Sequence, residues 1–171
     1  MLPAPMLSAT DARRDDVTTS PDEPMALAEV LAAEDARWSE MHALIDRLTP
    51  DQVVRPGYYR EGWSVKDLLA HVGTWLAEAG MMLERIAAGT YRHGELDVDA
   101  VNERTLEALH EIAFPVVTAQ ATASRARMRH ALVELREPSA EATWWIRKAG
   151  PDHYAEHLPR LQEWVEELGS G

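Results

Sequence analysis

The segment His153-Tyr154-Ala155-Glu156-His157 sets two imidazoles four residues apart. On a helix, residues so spaced share one face about one turn from each other. Two rings held that way can bind one metal ion together, provided another protein ligand completes the set. His71 is the candidate third ligand. It lies among Leu68, Leu69, Val72 and Trp75, and a polar ring on an apolar stripe must find hydrogen-bond partners or a metal. Three histidine ligands leave at least one position for water or substrate, which suits a reactive site better than a structural one. Spacing alone also fits three unconnected histidines, because seven histidines in 171 residues readily place one pair four apart. His42, His93, His110 and His130 have no comparable context and read as surface residues, with His42 nearest an apolar face.

The same five residues match H-x-x-E-H, an inverted zinc-protease pattern in which Glu156 would be the general base. Such enzymes need a further ligand from later in the chain. Only fourteen residues follow His157, and their glutamates sit on the same short helix, so this alternative is disfavoured. Beside a histidine metal site, Glu156 is the candidate catalytic side chain, orienting an imidazole or moving a proton. A solvent-facing helix glutamate is the competing explanation. Trp63, Trp75, Trp144, Trp145 and Trp164 could line an apolar pocket, although such residues are more often core, and Trp75 and Trp164 read as core. Trp144 and Trp145 directly precede the histidine pair and are expected either to close over a pocket or to pack a subunit interface.

Helices must position these groups. Residues 1–24 carry Pro3, Pro5, Pro21 and Pro24 among Ser, Thr and Asp, a composition expected of a flexible arm. From residue 25 to 171 the pattern is that of one helical domain. Leu27, Val30, Leu31, Trp38, Met41, Leu44, Ile45 and Leu48 predict a first helix ending before Pro50. Ser64-Val65-Lys66-Asp67 reads as a capping box opening a second helix, with an apolar stripe from Leu68 to Ile86 and a stop at Gly89. A short helix is expected from Asp97 or Asp99 until Pro115 interrupts it, then a long one over about 116–135. Pro138-Ser139 predicts a short turn containing Trp144 and Trp145. Pro151 suits the first turn of the last helix. No β alternation or repeat is visible, so the expected fold class is all-α: a four-helix bundle with short extra helical segments.

Composition narrows the function classes. Hydrophobic residues make up 46%, charged residues 27%, and the formal net charge is -12. An acidic surface repels phosphate backbones, so nucleic acid is not an expected partner. No apolar run approaches the roughly 20 residues that span a bilayer, and no apolar leader core precedes Ser20, so a cytoplasmic location without membrane contact is expected. There is no cysteine, which excludes disulfides, thiolate metal sites and cysteine nucleophiles.

Two segments, Trp63-Ser64-Val65-Lys66-Asp67-Leu68-Leu69-Ala70-His71-Val72 and His153-Tyr154-Ala155-Glu156-His157-Leu158, resemble the DinB-like superfamily. That group includes thiol-dependent S-transferases and the mycothiol-dependent maleylpyruvate isomerase, and the resemblance spans residues 25–168. It implies a DinB-like four-helix bundle whose triad, here His71, His153 and His157, holds nickel or zinc. The stretch Asp97-Val98-Asp99-Ala100-Val101-Asn102-Glu103 resembles a segment near the pocket mouth, which makes Asn102 the expected polar substrate-binding residue; a helix-surface asparagine is the alternative. No second domain like that appended to the isomerase is present in these 171 residues, which puts that particular reaction in doubt. The chain also resembles the ClbS/DfsB-like branch, whose members are linked to self-protection against reactive metabolites and do not all keep the triad.

Three functions are consistent with this. The first is a transferase that couples a low-molecular-weight thiol to a small electrophile, the divalent ion lowering the pKa of bound thiol or water. With no cysteine in the chain, the thiol must be a cosubstrate such as mycothiol or bacillithiol. The second is a metal-dependent hydrolase of a reactive small molecule, serving self-resistance or detoxification. The third is a non-enzymatic protein that sequesters a metabolite or uses metal to brace the bundle. Pairing into a homodimer through an apolar helix face is the expected assembly.

Overall fold

The computed structural model describes residues 26–59, 62–94 and 97–169. All regular structure among them is helical: α1 (Leu27–Ile45), α2 (Pro50–Val53), α3 (Val65–Ala87), α4 (Val98–Leu109), α5 (Phe114–Glu134), α6 (Ala140–Ala149) and α7 (Pro151–Gly169). The expected four-helix bundle is formed by α1, α3, α5 and α7. The arm expected over residues 1–24 lies outside the described residues.

Helix α3 is the centre of the molecule. Its residues Leu68, Leu69, Val72, Leu76, Ala79 and Leu83 are fully buried. It packs most extensively on α5 and also carries α4 and α6, while α1 lies against α7. The α3–α5 pair is tight because Gly73 and Gly80 repeat at a seven-residue interval on α3. A Cβ at Gly73 would meet the Cα and Cβ of Ala121 at 3.0 Å, and one at Gly80 would meet Met128 Cα at 3.4 Å. Glycine weakens a helix by roughly 0.5–1 kcal/mol relative to alanine, and here close backbone contact offsets that.

The start of α3 is held from two sides. Ser64 Oγ accepts from the Asp67 amide at 3.3 Å, and Asp67 Oδ2 accepts from the Ser64 amide at 2.8 Å. The other carboxylate oxygen, Asp67 Oδ1, lies 3.3 Å from His110 Nδ1 and 3.5 Å from Lys66 Nζ. Lys66 also donates to the His110 backbone carbonyl. The capping residue therefore ties the C-terminal end of α4 to the first turn of α3, one turn before His71.

A second polar hub joins α1, α5 and α7. Glu34 is fully buried and accepts Arg125 Nε and Nη2 at 2.7 and 2.9 Å, the Tyr154 hydroxyl at 3.1 Å, and Arg129 Nη1. Bidentate guanidinium–carboxylate pairing of this kind has a fixed geometry. It sets α7 rotationally against α1 at Tyr154, next to His153.

Helix α1 ends at Ile45, before Pro50 as expected, and Pro50 opens the short helix α2, where Thr49 and Gln52 form a capping box. Two expectations need correction. Pro115 does not end the helix before it; α4 stops at Leu109, and Pro115 sits in the first turn of α5, where its missing amide has no helical acceptor to serve. Trp144 and Trp145 are not in a turn: Ser139 accepts from the Ala142 amide at 3.2 Å and caps a ten-residue helix, α6. Helix α7 runs through Pro159, on its exposed side, where a lost backbone hydrogen bond is least damaging.

Candidate metal centre

Helices α3 and α7 bring His71, His153 and His157 together, each about 1% exposed. His71 Nε2 is 2.8 Å from His153 Nε2, and His157 Nε2 is 3.0 Å from the same atom. One potential ligand atom from each of the three residues lies within 4.8 Å of the others. Two nitrogens each 2.0–2.1 Å from one ion would be about 2.9 Å apart at right angles and about 3.4 Å apart in a tetrahedron. The observed separations are of that size, so the three residues fit a divalent ion. The four-residue spacing of His153 and His157 does what it predicts, and α3 supplies the ring that faces them.

All three rings are held neutral. Burial pushes His71 down to about 3, with His157 nearby adding to the effect, and pushes His157 down to about 4. His153 is lowered well below the ordinary imidazole value, chiefly by burial and then by its two histidine neighbours. Neutral imidazole is the form that ligates.

One ring has a hydrogen-bonded outer partner: the Tyr59 hydroxyl is 3.1 Å from His157 Nδ1. Nδ1 of His153 and of His71 is buried with no hydrogen-bond partner among the described residues. A partner such as Tyr59 selects the tautomer whose other nitrogen faces the metal.

The segment before α3 is shaped to deliver Tyr59 and Trp63. The amides of Gly57 and Tyr58 both donate to the Trp63 carbonyl, at 3.1 and 2.8 Å. Gly57 has φ 112°, and a Cβ there would meet the Trp164 ring at 3.3 Å, so the turn requires glycine. Tyr58 is buried and its hydroxyl donates to the His157 carbonyl at 3.4 Å, while Arg160 Nε donates to the Tyr58 carbonyl at 2.9 Å. The Trp63 ring then stands edge-on to His71 at 5.5 Å, and Tyr59 edge-on to His157 at 6.3 Å. Sequence reasoning passed over Tyr59; the signal available was a tyrosine pair directly after the Pro56-Gly57 turn.

Of the other expected site residues, Asn102 is buried beside Trp75. It is 7% exposed, and its Oδ1 accepts from Trp75 Nε1 at 3.0 Å. Glu156 lies on the exposed side of α7, whereas His153 and His157 face inward. Trp144 is 53% exposed and meets Trp145 edge-on at 5.1 Å; Trp145 is buried and donates to the Tyr91 hydroxyl at 3.2 Å. That pair pins α6 to the segment after α3. Beside the triad, a groove of about 640 Å³ lies along α4, lined by Trp63, Glu103, Arg104, Glu107 and His110 among others. Trp63 borders the groove on one side and contacts His71 on the other.

Residues 34–166 match the mycothiol maleylpyruvate isomerase N-terminal domain. The chain belongs to this family. It is a DinB-like domain, related to thiol-dependent enzymes, and the family is linked to mycothiol. An uncharacterised protein from Escherichia coli UTI89 has a similar crystal structure, with a TM-score of 0.70 at 16% identity, covering 85% of this chain and 96% of that one. At that identity the likeness supports the all-helical fold alone. No curated protein matches the chain. Among the described residues no helix is long and apolar enough to cross a membrane.

Proposed function

We propose that this protein is a divalent-metal-dependent transferase that joins a low-molecular-weight thiol to a small electrophile. The observation that carries this is the convergence of three buried, neutral imidazoles at the spacing of metal ligands, in a chain of a family linked to mycothiol. His71, His153 and His157 would hold zinc or nickel. A bound divalent ion lowers the pKa of a thiol or water at its open position and so supplies a nucleophile near neutral pH. The chain has no cysteine, so the thiol must arrive as a cosubstrate, mycothiol or bacillithiol.

The protein's own contribution is shape and dryness. Trp63 and Tyr59 wall the triad with aromatic edges, and exclusion of water strengthens every electrostatic interaction inside. The groove along α4 gives a small molecule an approach that stops one side chain, Trp63, short of His71. Asn102 Nδ2, buried and without a hydrogen bond among the described residues, is the candidate donor to the bound molecule. Glu156, at the exposed side, is assigned proton exchange with solvent. Trp144 and Trp145 are assigned a bordering role only, since their ring contacts are with each other.

The test is metal analysis of the purified protein, followed by reloading with zinc or nickel. Thiol loss is then assayed with mycothiol or bacillithiol and an aryl chloride as model electrophile. Thiol consumption is expected to require the ion and to disappear in His71→Ala. Full turnover by that variant, or a protein that takes up neither ion, sinks the proposal. Metal-dependent loss of an activated ester without thiol consumption would favour hydrolysis instead.

A further inference from the structure

We propose that His110, oriented by the buried carboxylate of Asp67, is the base that takes the S–H proton of a thiol bound in the groove along α4. The choice of substrate rests on the thiol-transferase reading above; the pairing of His110 with Asp67 rests on side-chain geometry away from the triad. His110 is the C-cap residue of α4, and Asp67, 43 positions earlier in the chain, caps the start of α3.

Asp67 is 3% exposed and divides its carboxylate between two tasks. Oδ2 accepts from the Ser64 amide at 2.8 Å and the Ser64 hydroxyl at 2.6 Å, which completes the cap. Oδ1 lies 3.3 Å from His110 Nδ1 and 3.5 Å from Lys66 Nζ. A carboxylate can only accept, so in this contact Nδ1 carries the proton and Nε2 keeps its lone pair, the tautomer of a base. The tie between α3 and α4 does not need the ring for this, because Lys66 donates to the His110 backbone carbonyl. The His110 amide donates in turn to the Leu106 carbonyl at 2.9 Å. The backbone is thus fixed independently of the side chain, which is 54% exposed and lines the groove with Trp63, Glu103, Arg104, Glu107 and Glu111. With Nδ1 turned to a buried oxygen, Nε2 is the ring nitrogen that a groove-bound molecule can reach.

A thiol must lose its proton before its sulfur attacks, and the three triad rings are committed as ligands in the reading above, so another acceptor is required. At His110 the S–H bond breaks and an N–H bond forms on Nε2, leaving a thiolate and an imidazolium. The thiolate electron pair then forms a C–S bond to the electrophile. With an aryl chloride, the C–Cl bond breaks and chloride leaves with its electron pair. The imidazolium returns its proton to water through the exposed face of the ring, and nothing is oxidised or reduced. Trp63 walls this groove and stands edge-on to His71 at 5.5 Å, so base and triad lie on two sides of one aromatic ring. Asp67 acts through His110 and is a positioning residue.

Two measurements test this. Long-range ¹H–¹⁵N correlation of the full chain, at a pH above the ordinary imidazole range, is expected to show His110 protonated on Nδ1; protonation on Nε2 overturns the proposal whatever the reaction. Asp67→Asn keeps an acceptor for the Ser64 amide but turns a donor toward His110, and is expected to move the proton to Nε2 and lower kcat in parallel. Consumption of mycothiol with the aryl chloride is then followed in the metal-reloaded protein, with circular dichroism as a check on folding. His110→Ala keeps the carbonyl that Lys66 holds, and is expected to lower kcat about 100-fold with KM little changed. Added imidazoles are expected to restore its turnover, faster as the added ring is more basic. Restoration that follows ring size instead refutes the proposal, as does a folded His110→Gln within about two-fold of the parent rate. A parent protein that consumes no thiol refutes the transferase reading together with the substrate assigned here, whereas an active parent with an undiminished His110→Gln refutes the base alone.

Discussion

Glu34→Gln should be the most damaging conservative change outside the histidines. The carboxylate is fully buried and receives Arg125 through two nitrogens at 2.7 and 2.9 Å, the Tyr154 hydroxyl at 3.1 Å, and Arg129. Glutamine keeps the shape but removes the carboxylate partner of Arg129, 29% exposed, and leaves Arg125, 17% exposed, with only the exposed Asp35 at 2.7 Å. Removing one member of a buried ion pair costs about 3–5 kcal/mol. At about 2–4 °C per kcal/mol for a chain of this size, a loss of about 4 kcal/mol lowers Tm by about 8–16 °C. Thermal unfolding followed by circular dichroism at pH 7 measures it. Glu40→Gln, which removes an exposed partner of Arg37, is the control and should stay within about 0.5 kcal/mol. Tyr154→Phe should lose about 1 kcal/mol alone and much less on top of Glu34→Gln, because the acceptor is then already altered. A Tm for Glu34→Gln within about 2 °C of the parent, a shift of under about 1 kcal/mol, would show that the hub does not clamp α1, α5 and α7.

Acid should destabilise the metal-free protein through the triad. His71 and His157 titrate at about 3 and about 4 in the folded state against about 6.5 unfolded, and His153 is lowered in the same direction. Their depressed values mean no effect above about pH 6.5, where both states are neutral, and falling stability as pH drops toward 4, at about 1.4 kcal/mol per histidine per pH unit. Urea midpoints between pH 7 and 5 read this, and a slope that His71→Phe leaves unchanged contradicts it. Gly73→Ala should lower stability by about 1–3 kcal/mol, since the new methyl meets Ala121 backbone at 3.0 Å and neither helix can yield alone; an unchanged Tm would mean that α3 and α5 part freely. Tyr59→Phe should weaken zinc binding about 10-fold by removing the partner of His157, and an affinity unchanged in chelator competition would make that contact incidental. Trp144→Ser should change stability by less than about 0.5 kcal/mol and leave zinc affinity unaltered; a large loss would place that exposed ring in an interface.

Helix content and the ligand pair were legible because both are local. Ser64 and Asp67 announce the start of α3 by types that satisfy orphan amides, and both arms of the box form. His153 and His157 share a face because the helix repeat requires it. The errors were local too. Pro115 was read as an interruption when it sits in the first turn of α5, since a proline's missing amide is equally compatible with an end and a first turn. Trp144-Trp145 was read as a turn because the short helix around it is stabilised by a cap and by packing on α3 and α7 more than by its own propensity.

What the linear order could determine by itself was which residues were able to bind a metal, and that two of them would face the same way. Spacing could not join His71 to that pair across 82 positions; the family resemblance did, and the contact itself depends on how α3 and α7 seat in the bundle. Nor could it distinguish Tyr59, which meets His157 at 3.1 Å and is an ordinary loop residue until Gly57 turns its chain segment and the Asp67–His110 contact anchors α4. Those are long-range consequences of burying apolar surface, and only the closed bundle turns three separate histidines into one site.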